Sequence, residues 1–388
     1  MAYAPVYEGT PFTDFAAVTP ETDIHDLNLN WREQDLPERQ RTKHVHRLHP
    51  YLGKFIPQLV EIFLRKYQPR VVCDPFAGSG TTLVEANTLG IDSVGCEISP
   101  FNCLLAKVKT AEYDVSELET EIKDIVTRIN LRLKPGLFEG SVEDTDNPYL
   151  RSWFADKARL QLLYFRSLIP EYKHQDLLSV ILSRAARSAR LTTHFDLDFP
   201  QKPQTEPYDC YKHSRTCHPT DDALGFLTRY SLDTLRRVRE YATLRTKAHV
   251  SLVCADARDM EFPAVDMVLT SPPYVGLIDY HEQHRYAYEL LGETMREDME
   301  IGRAKRGSSV LAQKEYLESI GQVFANLREA LPQNGVAVIV VHDRRRLYEG
   351  LAEKLGYRQE CELQRHVNRR TGRRAGDFFE SVLTWRKQ

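Results

Sequence analysis

The sequence predicts an α/β fold in which one mostly parallel sheet is interrupted by a helical insertion. Gly78 and Gly80 form a turn between an apolar run and a helical pattern, and a second apolar run follows, which is the order of a βαβ unit. From 111 to 248 this alternation stops and the apolar periodicity is helical. Three short apolar runs, each ending in an acid, predict buried strands: 70–74, 93–97 and 250–256.

The remaining elements follow from periodicity and from helix start and stop signals. Pro57 suits the first turn of a helix over 57–67, and a helix from about Thr81 ends at Gly90, a natural C-cap. No internal repeat occurs, so the runs belong to one sheet. Further helices are predicted at 115–132, 151–169, 174–190, 221–245, 314–331 and 347–356, a polar loop at 199–219, and further strands at 265–270, 335–342, 358–367 and 378–386.

The composition of the 388 residues is that of a globular protein. Hydrophobic residues make up 42% and charged residues 28%, which excludes disordered and collagen-like classes. No run of eighteen apolar residues occurs, and the first residues lack a basic start and an apolar segment. We therefore expect a soluble, cytoplasmic protein, and the odd count of seven cysteines favours buried thiols over a disulfide framework.

The formal net charge of -3 conceals an uneven distribution. Residues 1–30 contain five acids and no Lys or Arg, whereas 32–54 contains six basic and three acidic residues, plus three histidines. From 333 to the end there are twelve basic and seven acidic residues. An acidic segment thus offsets two basic ones, which is compatible with an anionic partner.

The glycine turn lies where a doubly wound sheet binds ligands, at the carboxyl end of its first strand. A phosphate-binding P-loop is excluded because no Lys follows the glycines, and a dinucleotide fingerprint would need glycine where Leu83 stands. Glu97, at the end of the second strand, is placed to accept hydrogen bonds from both ribose hydroxyls of a nucleoside. Asp74 suits a cationic ligand group. Together these residues favour S-adenosylmethionine over NAD.

A second motif, Ser271-Pro272-Pro273-Tyr274, directly follows a predicted buried strand. The prolines stiffen the backbone and remove two amide donors. The Ser271 hydroxyl and the Pro272 carbonyl can then accept both hydrogens of an exocyclic amino group, which makes its nitrogen more tetrahedral and nucleophilic. Tyr274 would stack on the base, so that catalysis is chiefly positioning.

The pair DPFAGSGT and TSPPY resembles the two signature motifs of amino-group-directed DNA methyltransferases, with Ser-Pro-Pro-Tyr most similar to the N4-cytosine branch. HPYLGKFIP, VGCEIS and CADARDM resemble further motifs of that family, in order. The resemblance implies a Rossmann-like seven-stranded methyltransferase sheet, with 358–367 and 378–386 as a reversed edge hairpin. It also implies an N-terminal extension at 1–48, a catalytic domain of 49–110 and 249–388, and a helical insertion at 111–248 as the candidate target-recognition region.

The motifs and their resemblance assign a site to named residues. Ser271, Pro272, Pro273 and Tyr274 are the predicted catalytic residues. Predicted S-adenosylmethionine contacts are Phe55, Pro57, Asp74, Pro75, Phe76, Gly78, Ser79, Gly80, Thr81, Glu97, Ile98, Asp256 and Ala257.

A base inside a duplex cannot reach such a site, so base flipping is expected. Aromatic and basic residues near the catalytic motif and in two basic stretches would contact double-stranded DNA. A cognate restriction endonuclease is a possible partner of such an enzyme. The predicted nucleic-acid contacts are Lys54, Lys212, Arg215, Tyr280, His284, Arg285, Arg369, Arg370, Arg373 and Arg374.

Alternative functions stay open at this point. Ser271 stands where the best-known adenine enzymes have Asp or Asn, which favours cytosine N4 over adenine N6. An RNA enzyme acting on a base amino group is a second alternative, although only about 48 residues precede HPYLGKF and no RNA-binding domain is evident. An inactive DNA-binding subunit is a third, which the intact motif residues oppose.

Cys210, His213, Cys217 and His218 suggest zinc by residue type. Their spacing is not that of a familiar finger, and adjacent Cys and His ligands would strain a tetrahedral site. We therefore predict no metal from the sequence.

Overall fold

The computed structural model describes residues 11–32, 34–53, 55–132, 143–367 and 378–388. Nine strands occur in this part of the chain. They are β1 (Val71–Asp74), β2 (Asp92–Glu97), β3 (Tyr208–Cys210), β4 (Arg215–Cys217), β5 (Val250–Cys254), β6 (Met267–Thr270), β7 (Val336–Val341), β8 (Tyr357–Val367) and β9 (Phe378–Lys387).

Seven of these strands form one sheet, in the order β5-β2-β1-β6-β7-β9-β8. The five strands from β5 to β7 are parallel, and β9 is antiparallel to both of its neighbours. The predicted seven-stranded, mostly parallel sheet is therefore confirmed. At the edge, only β9 is reversed, because β8 is antiparallel to β9 and so runs in the same direction as β7.

The described residues also form thirteen α-helices. They are α1 (Glu38–Arg41), α2 (Pro57–Tyr67), α3 (Thr81–Thr88), α4 (Pro100–Thr110), α5 (Val115–Arg132), α6 (Pro148–Trp153), α7 (Asp156–Leu168), α8 (Gln175–Ala189), α9 (Leu224–Ala242), α10 (Tyr280–Gln283), α11 (Arg285–Leu291), α12 (Val310–Ala330) and α13 (Leu351–Lys354). No described helix has the length and apolar character needed to cross a membrane.

Both faces of the central strands β1, β6 and β7 are buried, which explains their continuous apolar sequences, whereas the edge strands β5 and β8 are partly exposed. All six residues of β7 are buried, and alternate side chains belong to different clusters. Val336, Val338 and Val340 pack with α2. The intervening Ala337, Ile339 and Val341 pack with α12. Because successive side chains of a strand point to opposite faces, β7 packs against one helical layer on each side of the sheet.

The insertion packs against the sheet domain. The apolar faces of α5, α7, α8 and α9 share one cluster with α4 and α11. Part of the N-terminal segment is buried as well: Leu27 and Leu29 pack with α2, and Asn30 Oδ1 accepts a hydrogen bond from His366 N of β8 at 2.7 Å.

Three predicted elements differ from the structure, and some of its helices were not predicted. The helix over 151–169 is two helices, because Phe154 and Ala155 adopt extended backbone angles between α6 and α7. The helix over 347–356 is the short α13, and the loop over 199–219 contains β3 and β4. Helix α4 was not predicted, although Ser99 caps it by accepting from Asn102 N.

Candidate active site

An open cavity lies at the carboxyl ends of β1, β2, β5 and β6, with about 770 Å3 of empty space that includes solvent at its mouth. This is the edge at which parallel α/β sheets bind ligands. Most of the predicted cofactor contacts line this cavity, namely Phe55, Pro75, Phe76, Gly78, Ser79, Thr81, Glu97, Ile98, Asp256 and Ala257. Two predicted catalytic residues, Ser271 and Pro273, lie in the same wall.

Asp74 does not line the cavity and is buried beneath its lining residues. Its carboxylate accepts hydrogen bonds from Thr270 Oγ1 at 2.6 Å, Thr82 Oγ1 at 2.7 Å and Phe76 N at 3.1 Å. Burial raises the pKa of this carboxyl to about 6, against these three donors. Asp74 therefore joins β1, β6 and α3 beneath the glycine turn. Pro57, Gly80, Pro272 and Tyr274 are likewise absent from the cavity lining.

The two glycines of the turn are required by close packing. Both have positive φ, +50° at Gly78 and +81° at Gly80. A Cβ at Gly78 would lie 2.9 Å from the Tyr51 hydroxyl, and a Cβ at Gly80 would lie 3.0 Å from the Ala106 Cβ. The turn can therefore approach both the cavity and α4 only without side chains.

Glu97 is a buried carboxylate in the cavity wall. Its Oε2 accepts from Gly78 N at 2.8 Å, and its Oε1 accepts from Ser99 N at 2.8 Å and from Asn102 Nδ2 at 3.4 Å. Burial raises the pKa of this carboxyl. These donors fix the carboxylate at the end of β2, where its free acceptor site on Oε2 faces a ligand hydroxyl and the long bond from Asn102 can be exchanged for another.

Ser271 is oriented by the neighbouring strand. Its hydroxyl donates to the Val340 carbonyl of β7 at 2.9 Å. Since that bond uses the hydroxyl proton, the lone pairs of Oγ stay available to accept hydrogen bonds from a ligand. The observed geometry thus makes Ser271 an acceptor at the cavity wall.

Tyr274 is held by residues that the sequence analysis missed. Its hydroxyl donates to Glu380 Oε1 at 3.0 Å, and Arg365 Nη1 contacts Glu380 Oε2 at 2.7 Å. Both Glu380 and Arg365 are buried. They come from β9 and β8, so the edge strands fix the Tyr274 ring. No sequence pattern pairs these positions, which only the strand register brings together.

The aromatic residues after the Ser-Pro-Pro-Tyr motif have different environments. Tyr280 lines the cavity. His284 is 1% exposed and packs among Tyr51, His49 and Phe101. The sequence assignment of His284 to a nucleic-acid contact is wrong, because a side chain buried in this aromatic cluster cannot reach a phosphate. Burial lowers its pKa to about 3, so the ring is neutral.

The basic segment at 32–54 is also less available than its composition suggested. His44, His46 and His49 are buried. Lys43 forms an ion pair with Glu85 at 2.7 Å. The histidines and Lys43 are therefore less available to a partner, whereas Arg32, Arg39 and Arg47 of the same segment are exposed.

The other predicted nucleic-acid contacts are spread over the surface. Lys212 and Arg215 are exposed on the β3–β4 hairpin. Arg285 is partly exposed and bonds to Glu289 at 3.2 Å. The remaining predictions lie outside the described residues: Lys54, Arg369, Arg370, Arg373 and Arg374.

Several cavity residues were not predicted. Tyr51 and Gly53 lie within HPYLGKFIP, and Asn102 follows the acidic strand, so the flanks of known motifs signal them. Glu300 is buried and forms an ion pair with His281, and it lines the cavity together with Met299 and Ile301. These last residues belong to no recognised motif.

The fold and the site define a class of protein. A sheet of this order, with a glycine turn after β1 and a buried acid at the end of β2, is the arrangement expected of S-adenosylmethionine-dependent methyltransferases. The residues fit this cofactor, because Glu97 offers acceptors to ribose hydroxyls and the glycine turn leaves a cavity beside it.

Comparisons with known proteins narrow the class. A family described as "DNA methylase" matches residues 25–108. The Type II methyltransferase M.MjaII of Methanocaldococcus jannaschii is 34% identical over 430 residues, which cover 90% of this chain and 81% of that protein. The Type II methyltransferase M.MvaI of Kocuria varians is 27% identical over 155 residues, covering 38% and 34% of the two chains. The chain belongs to the family of Type II DNA methyltransferases.

Among solved structures, TrmN from Thermus thermophilus aligns with a TM-score of 0.35 and 13% identity, over 87% of this chain and 50% of that chain. The rRNA methyltransferase aviRa from Streptomyces viridochromogenes aligns with a TM-score of 0.32 and 13% identity, over 87% and 88% of the two chains.

Proposed function

We propose that this DNA methyltransferase modifies the exocyclic N4 of cytosine at a short sequence in duplex DNA, with the target base flipped into the cavity. S-adenosylmethionine, when bound, supplies the electrophilic methyl group. The observation that carries the proposal is the hydrogen bond from the Ser271 hydroxyl to the Val340 carbonyl.

That hydrogen bond determines what Ser271 does. A base amino group conjugated to its ring is a poor nucleophile, and it becomes a better one when acceptors hold its hydrogens. Because its own proton is engaged at 2.9 Å, Ser271 Oγ meets an approaching amino group with lone pairs only. Ser271 accepts a hydrogen bond from the amino group until the nitrogen has reacted, and the proton that the methylated nitrogen then loses passes to solvent.

Tyr274 supplies orientation. The hydroxyl bond to Glu380, itself paired with Arg365, restricts the ring against rotation. A restricted ring beside Ser271 orients a flipped base by stacking, and accurate orientation contributes to the rate by removing motional freedom before reaction. The proposed catalysis is therefore positioning, without a covalent enzyme–base bond.

Glu97 and the glycine turn hold the nucleoside end of the cofactor in this proposal. The carboxylate already accepts three donors from the protein, which fix both oxygens. The free acceptor site on Oε2 can take one ribose hydroxyl, and the second hydroxyl can replace the long 3.4 Å bond from Asn102 on Oε1, both as charge-assisted contacts. Asp256, also in the wall, is the proposed partner of the adenine amino group.

We assign target recognition to the insertion at 111–248. Its β3–β4 hairpin exposes Lys212 and Arg215, and neither forms an ion pair with a described residue. Basic side chains of this kind contact phosphates and fix the register of a protein on the duplex. In this proposal a cognate restriction endonuclease cuts the same short sequence when it is unmethylated.

Sequencing of DNA from cells that express the protein tests this function, because base, modified atom and sequence context are read together. We expect N4-methylcytosine at one short recurring sequence, and none in cells that express Ser271→Ala. Modified adenine at such a sequence would overturn the base assignment, and unmodified DNA would overturn the proposed activity.

A further inference from the structure

We propose that His194, Cys210, His213 and Cys217 bind one zinc ion. Their candidate ligand atoms all lie within 4.8 Å of one another. Cys210 Sγ is 3.8 Å from His194 Nδ1 and 3.6 Å from His213 Nδ1. Cys217 Sγ is 3.5 Å from His213 Nδ1. Two thiols and two imidazoles therefore converge on one point.

These distances are those of a tetrahedral zinc site. With zinc–sulfur and zinc–nitrogen bonds of about 2.3 and 2.0–2.1 Å, tetrahedral angles separate a sulfur from a nitrogen ligand by about 3.6 Å. The three measured separations, 3.5, 3.6 and 3.8 Å, bracket that value. The ligand set, two cysteines and two histidines, is one that structural zinc sites use.

The structure also removes the objection raised by the sequence. The spacing argument placed His218 in the cluster, next to Cys217, where adjacent ligands would be strained. The fourth member is instead His194, which lies before the hairpin, and His218 is not in the group. The ligands then come from a preceding loop, from β3, from the β3–β4 turn and from β4.

The segment around the cluster lacks another means of stabilisation. Helix α8 ends at Ala189 and α9 begins at Leu224, with only two three-residue strands between them. Among residues 193–220, the two cysteines of the cluster are the only buried ones. An isolated two-stranded hairpin is marginally stable in water, and small folds without a core use metals or disulfides.

A second cluster of possible ligands, His44, His46 and Glu85, is less suited to a cation. The Glu85 carboxylate already contacts Lys43 Nζ at 2.7 Å and His46 Nε2 at 2.8 Å. A metal there would have to displace a bound ammonium group. Zinc at the hairpin displaces only the two thiol protons, which pass to solvent, and binds the imidazoles in their neutral form.

The experiment measures metal directly. Full-length protein is expressed with added zinc, purified with a reductant and dialysed against metal-free buffer, and zinc is quantified by mass spectrometry. We expect about one zinc per chain, released when the thiols are modified. Cobalt substitution should give the absorption bands of a tetrahedral site with thiolate ligands.

Matched variants locate the ion. His194→Ala should abolish stoichiometric zinc, whereas His218→Ala, one residue from Cys217 but outside the cluster, should retain it. Cys361→Ser, which removes a buried thiol elsewhere, should also retain it. Protease cleavage between 190 and 222 should be faster in His194→Ala.

Three results would overturn the zinc site. They are wild-type protein that retains no zinc after this treatment, equal zinc loss in His194→Ala and His218→Ala, or a Cys210–Cys217 disulfide in protein purified with a reductant. None of these measurements involves DNA or methyl transfer, so failure of the zinc site and failure of the proposed function are distinguishable.

Discussion

Single side chains at the site act through fixed partners. Ser271 donates to Val340, Tyr274 donates to Glu380, and Glu97 accepts from Gly78 N. Each of these bonds joins residues from different strands or loops. The chemistry of one residue therefore depends on the strand beside it.

Glu97→Gln tests the cofactor contact. The amide keeps the size of the side chain but removes its charge and turns an NH2 group toward a backbone donor, Gly78 N or Ser99 N. Losing a hydrogen bond to a charged group costs about 1.5–3 kcal/mol, so the cofactor Kd should rise roughly ten- to a hundredfold in calorimetry. Glu293→Gln, an exposed acid, is the control. Unchanged affinity in Glu97→Gln would refute the ribose assignment.

His284→Phe tests the corrected role of His284. Burial holds the pKa of His284 at about 3, below its ordinary 6.5. Between these two pH values the imidazole is protonated in the unfolded chain and neutral in the folded protein. The resulting stability is present above pH 6.5 and is lost as pH falls toward 3. The wild type should lose about 2 kcal/mol more than the variant between pH 7 and pH 5 in urea unfolding. Parallel pH profiles would contradict a buried neutral histidine.

At the scale of elements, the glycine turn joins β1 to α3 and packs against α4. Gly80 combines positive φ with close contact, whereas Gly90, at the other end of α3, has φ +74° and open space around it. Substitutions at these two glycines therefore distinguish the free-energy cost of positive φ from the cost of close packing.

Gly80→Ala should destabilise the protein by about 1–3 kcal/mol more than Gly90→Ala, measured by urea unfolding. Both variants place a side chain at positive φ. The free-energy cost of this backbone conformation is therefore similar in the two variants and cancels in the comparison. What remains is the approach of the new methyl group to Ala106, 3.0 Å from its Cβ. An equal loss of unfolding free energy in the two variants would mean that α4 shifts away from the new methyl group without cost.

The elements also show what the sequence could predict. Helix α5 spans the predicted 115–132, because its apolar periodicity is uninterrupted, and the strand predictions hold where side chains alternate between buried layers. The break between α6 and α7 was not predicted, because its residues form an ordinary helical pattern. His194 and Glu380 were missed because tertiary folding, rather than spacing, brings each to its partner.

Over the whole molecule, the net charge of -3 is not informative about the partner. Three histidines of the basic segment at 32–54 are buried and Lys43 is paired, whereas Lys212 and Arg215 are exposed on the hairpin. Local exposure is therefore a better guide to phosphate contacts than net charge, and Arg39 and Arg47 of the 32–54 segment are exposed as well.

Replacing Lys212 and Arg215 together by alanine should weaken DNA binding for every sequence and reduce the dependence of log K on log salt by about one unit per cation. Fluorescence anisotropy at several salt concentrations measures both effects. Zinc content should stay at the wild-type level, which shows that the hairpin is intact. Arg70→Ala, exposed before β1 at the opposite end of the sheet, should leave the slope unchanged. An unaltered slope in the double variant would exclude these phosphate contacts.

The most direct test of the central claim follows the methyl group itself. Purified protein is incubated with duplex DNA and S-adenosylmethionine carrying a labelled methyl group, and the DNA is digested to nucleosides for mass spectrometry. We predict label in N4-methylcytosine, with a loss of about a hundredfold or more in rate for Ser271→Ala at unchanged cofactor affinity. Label in N6-methyladenine, label in RNA only, or full activity of Ser271→Ala would contradict the proposal.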